Sequence, residues 1–243
     1  MILTSIGSTA RAFTLLLCLA APTGAPAWPD TDCTPPPRII QAIESETGKP
    51  EVRKILFIGD SMTGWLADRL SAYGEANGFE VATVLWDGST IAKWSNSSKL
   101  SSIIQESEAE AVFLSLGMNE LFEANPQRLE AEVDKILSAI GGRSLLWIGP
   151  PSWPGHDKGE TLNSWLQEKM QDGDFFRSFD LDLPRQSRTN PHPTCNGSAQ
   201  WMDAIVEWIP EHANFSLPLE ITPAEGKIVR GKEFRYVRMK QAL

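Results

Sequence analysis

Lys54-Ile55-Leu56-Phe57-Ile58-Gly59-Asp60-Ser61 decides how this chain is read. The run Lys54 to Gly59, unbroken and apolar from Ile55 to Ile58, is too short for a helix and reads as a buried strand. Immediately after it, Met62 to Tyr73 places Leu66, Leu70 and Tyr73 near helical spacing. Gly59-Asp60-Ser61 is therefore the turn between a strand and a helix. Such a turn puts a hydroxyl at the amino end of a helix, where backbone N–H groups favour developing negative charge. Asp and Ser are also ordinary capping residues, so the tripeptide alone does not establish chemistry.

Working outward, the alternation continues. Val81 to Trp86 is a second strand, Ser98 to Glu106 a short helix and Ala111 to Leu116 a third strand. A helix opens after Asn125-Pro126, turns Leu129, Val133, Ile136, Leu137 and Ile140 toward the core, and is stopped by Gly141-Gly142. Ser144 to Ile148 is a fourth strand, Thr161 to Met170 a helix, Phe175 to Leu181 a fifth strand and Ser198 to Ile209 a closing helix. Strands separated by helices form right-handed βαβ units. The expected class is α/β, a flavodoxin-like three-layer α/β/α sandwich around a five-stranded, mostly parallel sheet. In such a sheet function sits at the carboxyl ends of the strands.

Length and charge narrow the possibilities. The chain has 243 residues, 42% hydrophobic and 22% charged, which suits one α/β domain with a sizeable core. With 22 Lys+Arg against 31 Asp+Glu its formal charge is −9, which argues against a general nucleic-acid binder. Arg11 is the only charge before Asp30, and Ala12 to Ala21 is apolar, a length that suits a signal-peptide core where a membrane span needs ~20 residues. Ala25-Pro26-Ala27 offers a cleavage site before Trp28. The expected organisation is a signal peptide over 1–27, a proline-rich arm over 28–51, one catalytic-type domain over 52–217 and a basic tail over 218–243. In that tail Lys227, Arg230, Lys232, Arg235, Arg238 and Lys240 face Glu220, Glu225 and Glu233. It reads as a solvated tail or an added hairpin. A secreted or periplasmic location and no stable membrane span follow from the leader.

Export changes the cysteine arithmetic. Cys18 leaves with the leader, and Cys33 and Cys195 remain as a pair in an oxidising compartment, which suggests one disulfide. Closing a loop of ~160 residues would stabilise the fold by ~4–5 kcal/mol in the chain-entropy model. No spacing among three cysteines and three histidines suits zinc, and no metal or organic cofactor is expected. His156 reads as a surface residue in a turn.

The other strand ends carry matching chemistry. Asp87-Gly88-Ser89-Thr90 follows the second strand, with a glycine that lets a backbone N–H approach a ligand. Gly117-Met118-Asn119-Glu120 follows the third, bringing a side-chain amide donor. His192-Pro193-Thr194 follows the fifth. A serine, two oxyanion donors and a histidine on four loops are the parts of an acyl-transfer site.

In these four blocks, in this order over residues 52–210, the chain resembles the SGNH hydrolases, the GDSL family of lipases, esterases and carbohydrate acylhydrolases. The resemblance implies that Ser61 is the nucleophile, and that Gly88, Asn119 and the Ser61 N–H are oxyanion donors. It makes His192 the general base that takes the Ser61 proton and returns it to the leaving group. Asp60 is implied to support the nucleophile turn. One departure matters: the family's last block reads Asp-x-x-His, and here Thr189 stands where the Asp belongs. Three readings stay open. His192 works in a dyad held by a backbone carbonyl, Asp180 or Asp182 substitutes, or catalysis has been lost.

Nine tryptophans add a substrate hint. Trp86, Trp147 and Trp208 read as core, whereas Trp65, Trp94 and Trp153 fall near the catalytic mouth, where flat rings suit sugars. The expected function is an exported serine esterase removing acyl, foremost acetyl, groups from a carbohydrate or cell-envelope molecule, acting as a monomer. An O-acyltransferase on a cell-envelope polysaccharide and a non-catalytic carbohydrate-binding scaffold are the alternatives.

Overall fold

The structure, a computed structural model, describes residues 48–153, 155 and 159–230, and the backbone course of Tyr236–Met239. The leader, residues 28–47 of the proline-rich arm with Trp28 and Cys33, His156 and the rest of the basic tail lie outside the described residues.

The elements run β1 (Lys54–Gly59), α1 (Thr63–Asn77), β2 (Glu80–Trp86), α2 (Ile91–Ser95), α3 (Leu100–Glu106), β3 (Ala111–Ser115), α4 (Glu130–Ile140), β4 (Ser144–Ile148), α5 (Glu160–Lys169) and β5 (Phe175–Phe176). After these come β6 (Arg185–Ser187), β7 (Asn190–Pro193), α6 (Cys195–His212) and β8 (Tyr236–Met239). The main sheet has the order β5-β4-β3-β1-β2-β8, with every neighbouring pair parallel. The five expected strands are present. The sixth, β8, belongs to the segment read as a basic tail and adds to the free edge of β2 as a parallel strand, not as a hairpin.

β1 lies at the centre, and its side chains divide by the two-residue period of a strand. Ile55 and Phe57 enter the core under α1 and α6, beside Leu66, Leu70, Trp201 and Ile205. Leu56 and Ile58 enter the opposite core under α2 to α5, beside Trp94, Ile104, Val133 and Leu166. A strand apolar on both faces cannot alternate with polar residues, which is why the run is continuous. The chain leaves β1 toward β2 and then crosses back to β3 on its other side, so the crevice at the carboxyl end of β1 is the switch point of the sheet. Gly59 closes the strand there. A Cβ at that position would stand 1.9 Å from Thr63 Oγ1 and 2.6 Å from the Ser115 carbonyl, so only glycine lets α1 turn this tightly off the sheet.

The expected fifth strand is cut short. β4 ends at Ile148, and Pro150-Pro151 beyond it have no N–H to extend the ladder, so β5 pairs only through Phe175 and Phe176. The chain then makes a 3-10 turn at Ser178–Asp180, anchored by Trp201 Nε1 donating 2.7 Å to Ser178 Oγ. β6 and β7 form a separate antiparallel hairpin that carries the histidine.

Candidate active site

Asn190-Pro191-His192-Pro193 is the local sequence that aims the histidine. Each proline restricts the residue before it to extended backbone, so Asn190 and His192 are both held in β conformation, and two residues apart they share one face of β7. His192 Nε2 stands 2.9 Å from Ser61 Oγ. On the ring's other side, Nδ1 lies 2.7 Å from Asn190 Oδ1.

The proton on the ring can be placed from this geometry. The backbone N–H of His192, which can only donate, points to the same Asn190 atom at 3.0 Å, so that atom is the oxygen. Asn190 Nδ2 donates to Gln186 Oε1 at 2.8 Å, which holds the amide the same way round. An oxygen facing Nδ1 requires a proton on Nδ1, and Nε2 is then bare and accepts the Ser61 hydroxyl. Ser61, His192 and Asn190 thus form one hydrogen-bonded chain. Burial holds the imidazole below its ordinary pKa, Asp87 pulls it up and Arg185 pushes it further down.

Asn190 Oδ1 takes the place at Nδ1 that a backbone carbonyl or a substitute acid was expected to hold. Thr189 is exposed at the tip of the β6–β7 hairpin, where its backbone N–H meets Ser187 Oγ, and does not touch the imidazole. Asp180 is turned away to Arg177, 2.8 Å from its Nε. Asp182 lies beside Arg185 in a different surface cavity. Neither acid reaches His192.

The donors for an oxyanion are partly in place. Ser61 and Gly88 keep backbone N–H groups without an acceptor among the described residues. Gly88 has φ +65, a conformation that favours glycine, and Ser89 N closes the turn on the Trp86 carbonyl at 3.0 Å. Asn119 ties these pieces together: its Nδ2 donates to the Ser89 carbonyl at 2.6 Å and lies 3.4 Å from Asp60 Oδ2. It therefore braces the Gly88 loop against the nucleophile turn with both amide hydrogens engaged, so in this structure the Asn119 amide expected to serve an oxyanion is turned to the Ser89 carbonyl and Asp60 instead. Asp60 Oδ1 accepts from the Met62 N–H at 2.9 Å, as expected of a turn support. Burial pushes the Asp60 carboxyl up to about 7, which the Met62 N–H opposes and the nearby Glu120 reinforces. Glu120 is drawn inward: Oε1 accepts from the Ile91 N–H that opens α2 at 2.7 Å, Oε2 is buried without a partner among the described residues, and burial lifts the carboxyl to about 7 as well.

A cavity of about 460 Å³ opens at Ser61 and His192 and is lined also by Trp65, Asp68, Asp87 and Arg230. Of the three tryptophans expected at the mouth, Trp65 is there. Trp94 is not: it is fully buried, and its Nε1 donates 2.9 Å to Ser89 Oγ, so it anchors the Gly88 loop from inside. Trp153 packs on Phe122, with ring centroids 5.5 Å apart, and does not line this cavity. Cys195 opens α6 and is partly exposed, and its expected partner Cys33 lies outside the described residues. Among the described residues no group of His, Cys, Asp and Glu is arranged to hold a metal ion, and no helix is long and apolar enough to cross a membrane.

No protein-family model and no curated protein matches the chain. Solved structures do. The chain is similar to the lipase/acylhydrolase from Enterococcus faecalis, with TM-score 0.51 and 17% identity over 68% of this chain and 99% of that one. It is similar to TesA, with TM-score 0.50 and 20% identity over 64% of this chain and 96% of that one. A gut microbial diltiazem-metabolizing enzyme aligns with TM-score 0.48 and 11% identity over 71% of this chain, which spans 48% of that one. At these identities the likeness to the first two speaks to architecture, and it agrees with the parallel sheet and its helical layers: the chain has the SGNH-hydrolase fold.

Proposed function

We propose that the chain is an SGNH-family serine esterase, exported from the cell, that removes acyl groups, foremost acetyl, from a carbohydrate or cell-envelope substrate. The observation that carries this reading is the relay: Ser61 Oγ at 2.9 Å from a bare Nε2, with the opposite nitrogen fixed by Asn190 Oδ1 at 2.7 Å. As Ser61 Oγ attacks the ester carbonyl, its proton passes to Nε2, and the carbonyl oxygen becomes an oxyanion beside the Ser61 and Gly88 N–H groups. Each such donor contributes ~3 kcal/mol in comparable sites. The imidazolium then returns the proton to the leaving alkoxide, the alcohol departs, and an acyl-Ser61 remains. Water, deprotonated by the same Nε2, releases the acid and restores the serine.

Asn190 performs the orienting half of the usual acid's task. It selects the tautomer and strengthens its hydrogen bond as the ring becomes charged, but it carries no counter-charge for the imidazolium. The proposed enzyme keeps its proton path with a weaker thermodynamic pull on it. The non-catalytic reading rested on an unsupported histidine, and Asn190 removes that motive.

The experiment is release of free acid from p-nitrophenyl acetate, a long-chain p-nitrophenyl ester and acetylated glycans. Acetate release that Ser61→Ala abolishes is the expected result. No release from any ester by the folded mature protein overturns the reading. Transfer of acetyl to an added glycan, with little free acetate, would make the chain a transferase.

A further inference from the structure

Among the described residues, Asp68 carries a buried carboxylate to which no hydrogen bond is donated. It lies on α1 three residues after Trp65, so the two share one side of the helix, and both line the cavity that holds Ser61. Asp68 is 3% exposed, yet it lines the Ser61 cavity. Its backbone carbonyl accepts from the Val229 N–H at 2.9 Å, but no described residue donates a hydrogen bond to its carboxylate. A buried carboxylate is ordinarily held by two or three donors, and here only the charge of Arg230 compensates it. Arg230 reaches the cavity because the chain beyond α6 is strapped over α1. The buried Arg69 donates to the carbonyls of Ala224 at 2.7 Å and Lys227 at 2.9 Å, and Val229 is then fixed on Asp68.

The cavity thus offers, next to the nucleophile, a group that can only accept and a group that can only donate. A hydroxyl does both. Building on the esterase reading, we propose that Asp68 and Arg230 form the subsite for the leaving alcohol and bind neighbouring hydroxyls of a sugar ring, with the Trp65 ring beside its C–H face. One hydroxyl donates to Asp68 and accepts from Arg230, giving the buried carboxylate a donor. A hydrocarbon alcohol brings no donor and leaves the carboxylate stranded. A cationic alcohol such as choline would suit Asp68 but is opposed by Arg230. Burial lifts the Asp68 carboxyl to about 6, so at neutral pH it is an acceptor.

The test compares the wild type, Asp68→Ala and Asp68→Asn on three esters: a methyl mono-O-acetyl-xyloside with free neighbouring hydroxyls, p-nitrophenyl acetate and acetylcholine. Asp68→Ala is expected to lower the ratio of kcat/KM for the xyloside over p-nitrophenyl acetate by about tenfold, the size of one hydrogen bond to a charged group, mainly through KM. Asp68→Asn, which keeps one acceptor oxygen, is expected to recover part of it. An unchanged ratio overturns the proposal, as does a loss confined to acetylcholine. A second arm needs no turnover: calorimetric binding of the same xyloside to Ser61→Ala, with and without Asp68→Ala. Weakening by about tenfold supports the subsite even if the esterase reading fails. Equal binding, or none by Ser61→Ala, overturns it.

Discussion

Asn190→Ala is the substitution whose outcome can be worked furthest from the structure. It deletes one acceptor that serves two donors, the imidazole Nδ1–H at 2.7 Å and the His192 backbone N–H at 3.0 Å. In the resting enzyme the ring bond is between neutral groups and is worth about 1 kcal/mol, whereas to an imidazolium it is worth about 1.5–3 kcal/mol. The difference, about 0.5–2 kcal/mol, acts only when the ring is charged and appears in kcat as a loss of about 2- to 30-fold. Freed from Asn190, the neutral ring also populates the tautomer with a proton on Nε2, which cannot accept from Ser61. The two losses together predict a kcat lower by about 10- to 100-fold, short of the ~10⁴ seen when the wrong tautomer is enforced.

Asn190→Asp gives the opposite signature. A carboxylate against Nδ1 favours the charged ring and raises its pKa. The base must be neutral to work, so activity rises with pH through the His192 value. Because burial holds His192 low, the wild-type acid limb of kcat/KM lies below the ordinary imidazole range, and Asn190→Asp moves it upward. Thr189→Asp, exposed at the hairpin tip, leaves the limb where it was. The assay is the pH dependence of p-nitrophenyl acetate hydrolysis by the four proteins. Asn190→Ala within about twofold of wild type, or a limb that moves with Thr189→Asp instead, refutes the relay.

Three further outcomes are expected. Arg69→Ala removes a buried guanidinium from Asp203 and from the carbonyls that hold the chain after α6, so it should cost ~3–5 kcal/mol in urea unfolding and expose residues 217–230 to proteolysis; a cost below ~1 kcal/mol would refute the clamp. Asp60 and Glu120 bind protons more tightly folded than unfolded, so stability should fall as pH rises from about 4 to about 7. Tm at pH 8 should lie below Tm at pH 5, and Asp60→Asn should narrow the gap; a wild-type Tm that is level or rising across that range contradicts the protonated pair. Finally, thiol alkylation of the denatured, unreduced mature chain should label neither Cys33 nor Cys195, and labelling of both would refute their pairing.

Continuous apolar runs made the sheet legible. β1 and β4 read to the residue, because strands buried on both faces leave no polar interruption to blur their ends. α2 escaped notice because only Ile91 and Trp94 of its five residues enter the core, too few for a period. The β6–β7 hairpin is built of Arg185-Gln186-Ser187 and Asn190-Pro191-His192-Pro193, which carry no apolar alternation, so a strand pair held by local geometry looked like loop. Asn190 was nonetheless within reach: two pre-proline residues two positions apart must be extended and share a face. Trp94 misled because nearness in sequence to a strand end does not say which way a ring points. A hydrogen bond to Ser89 turned it inward.

The central claim is that Ser61 is an activated nucleophile served by His192, and the most direct measurement is the intact mass of the mature protein after reaction with a fluorophosphonate. The account predicts one adduct per chain, mapped to Ser61, absent in Ser61→Ala and strongly slowed in His192→Ala. A folded protein that takes no adduct, or an adduct that persists in Ser61→Ala, contradicts it.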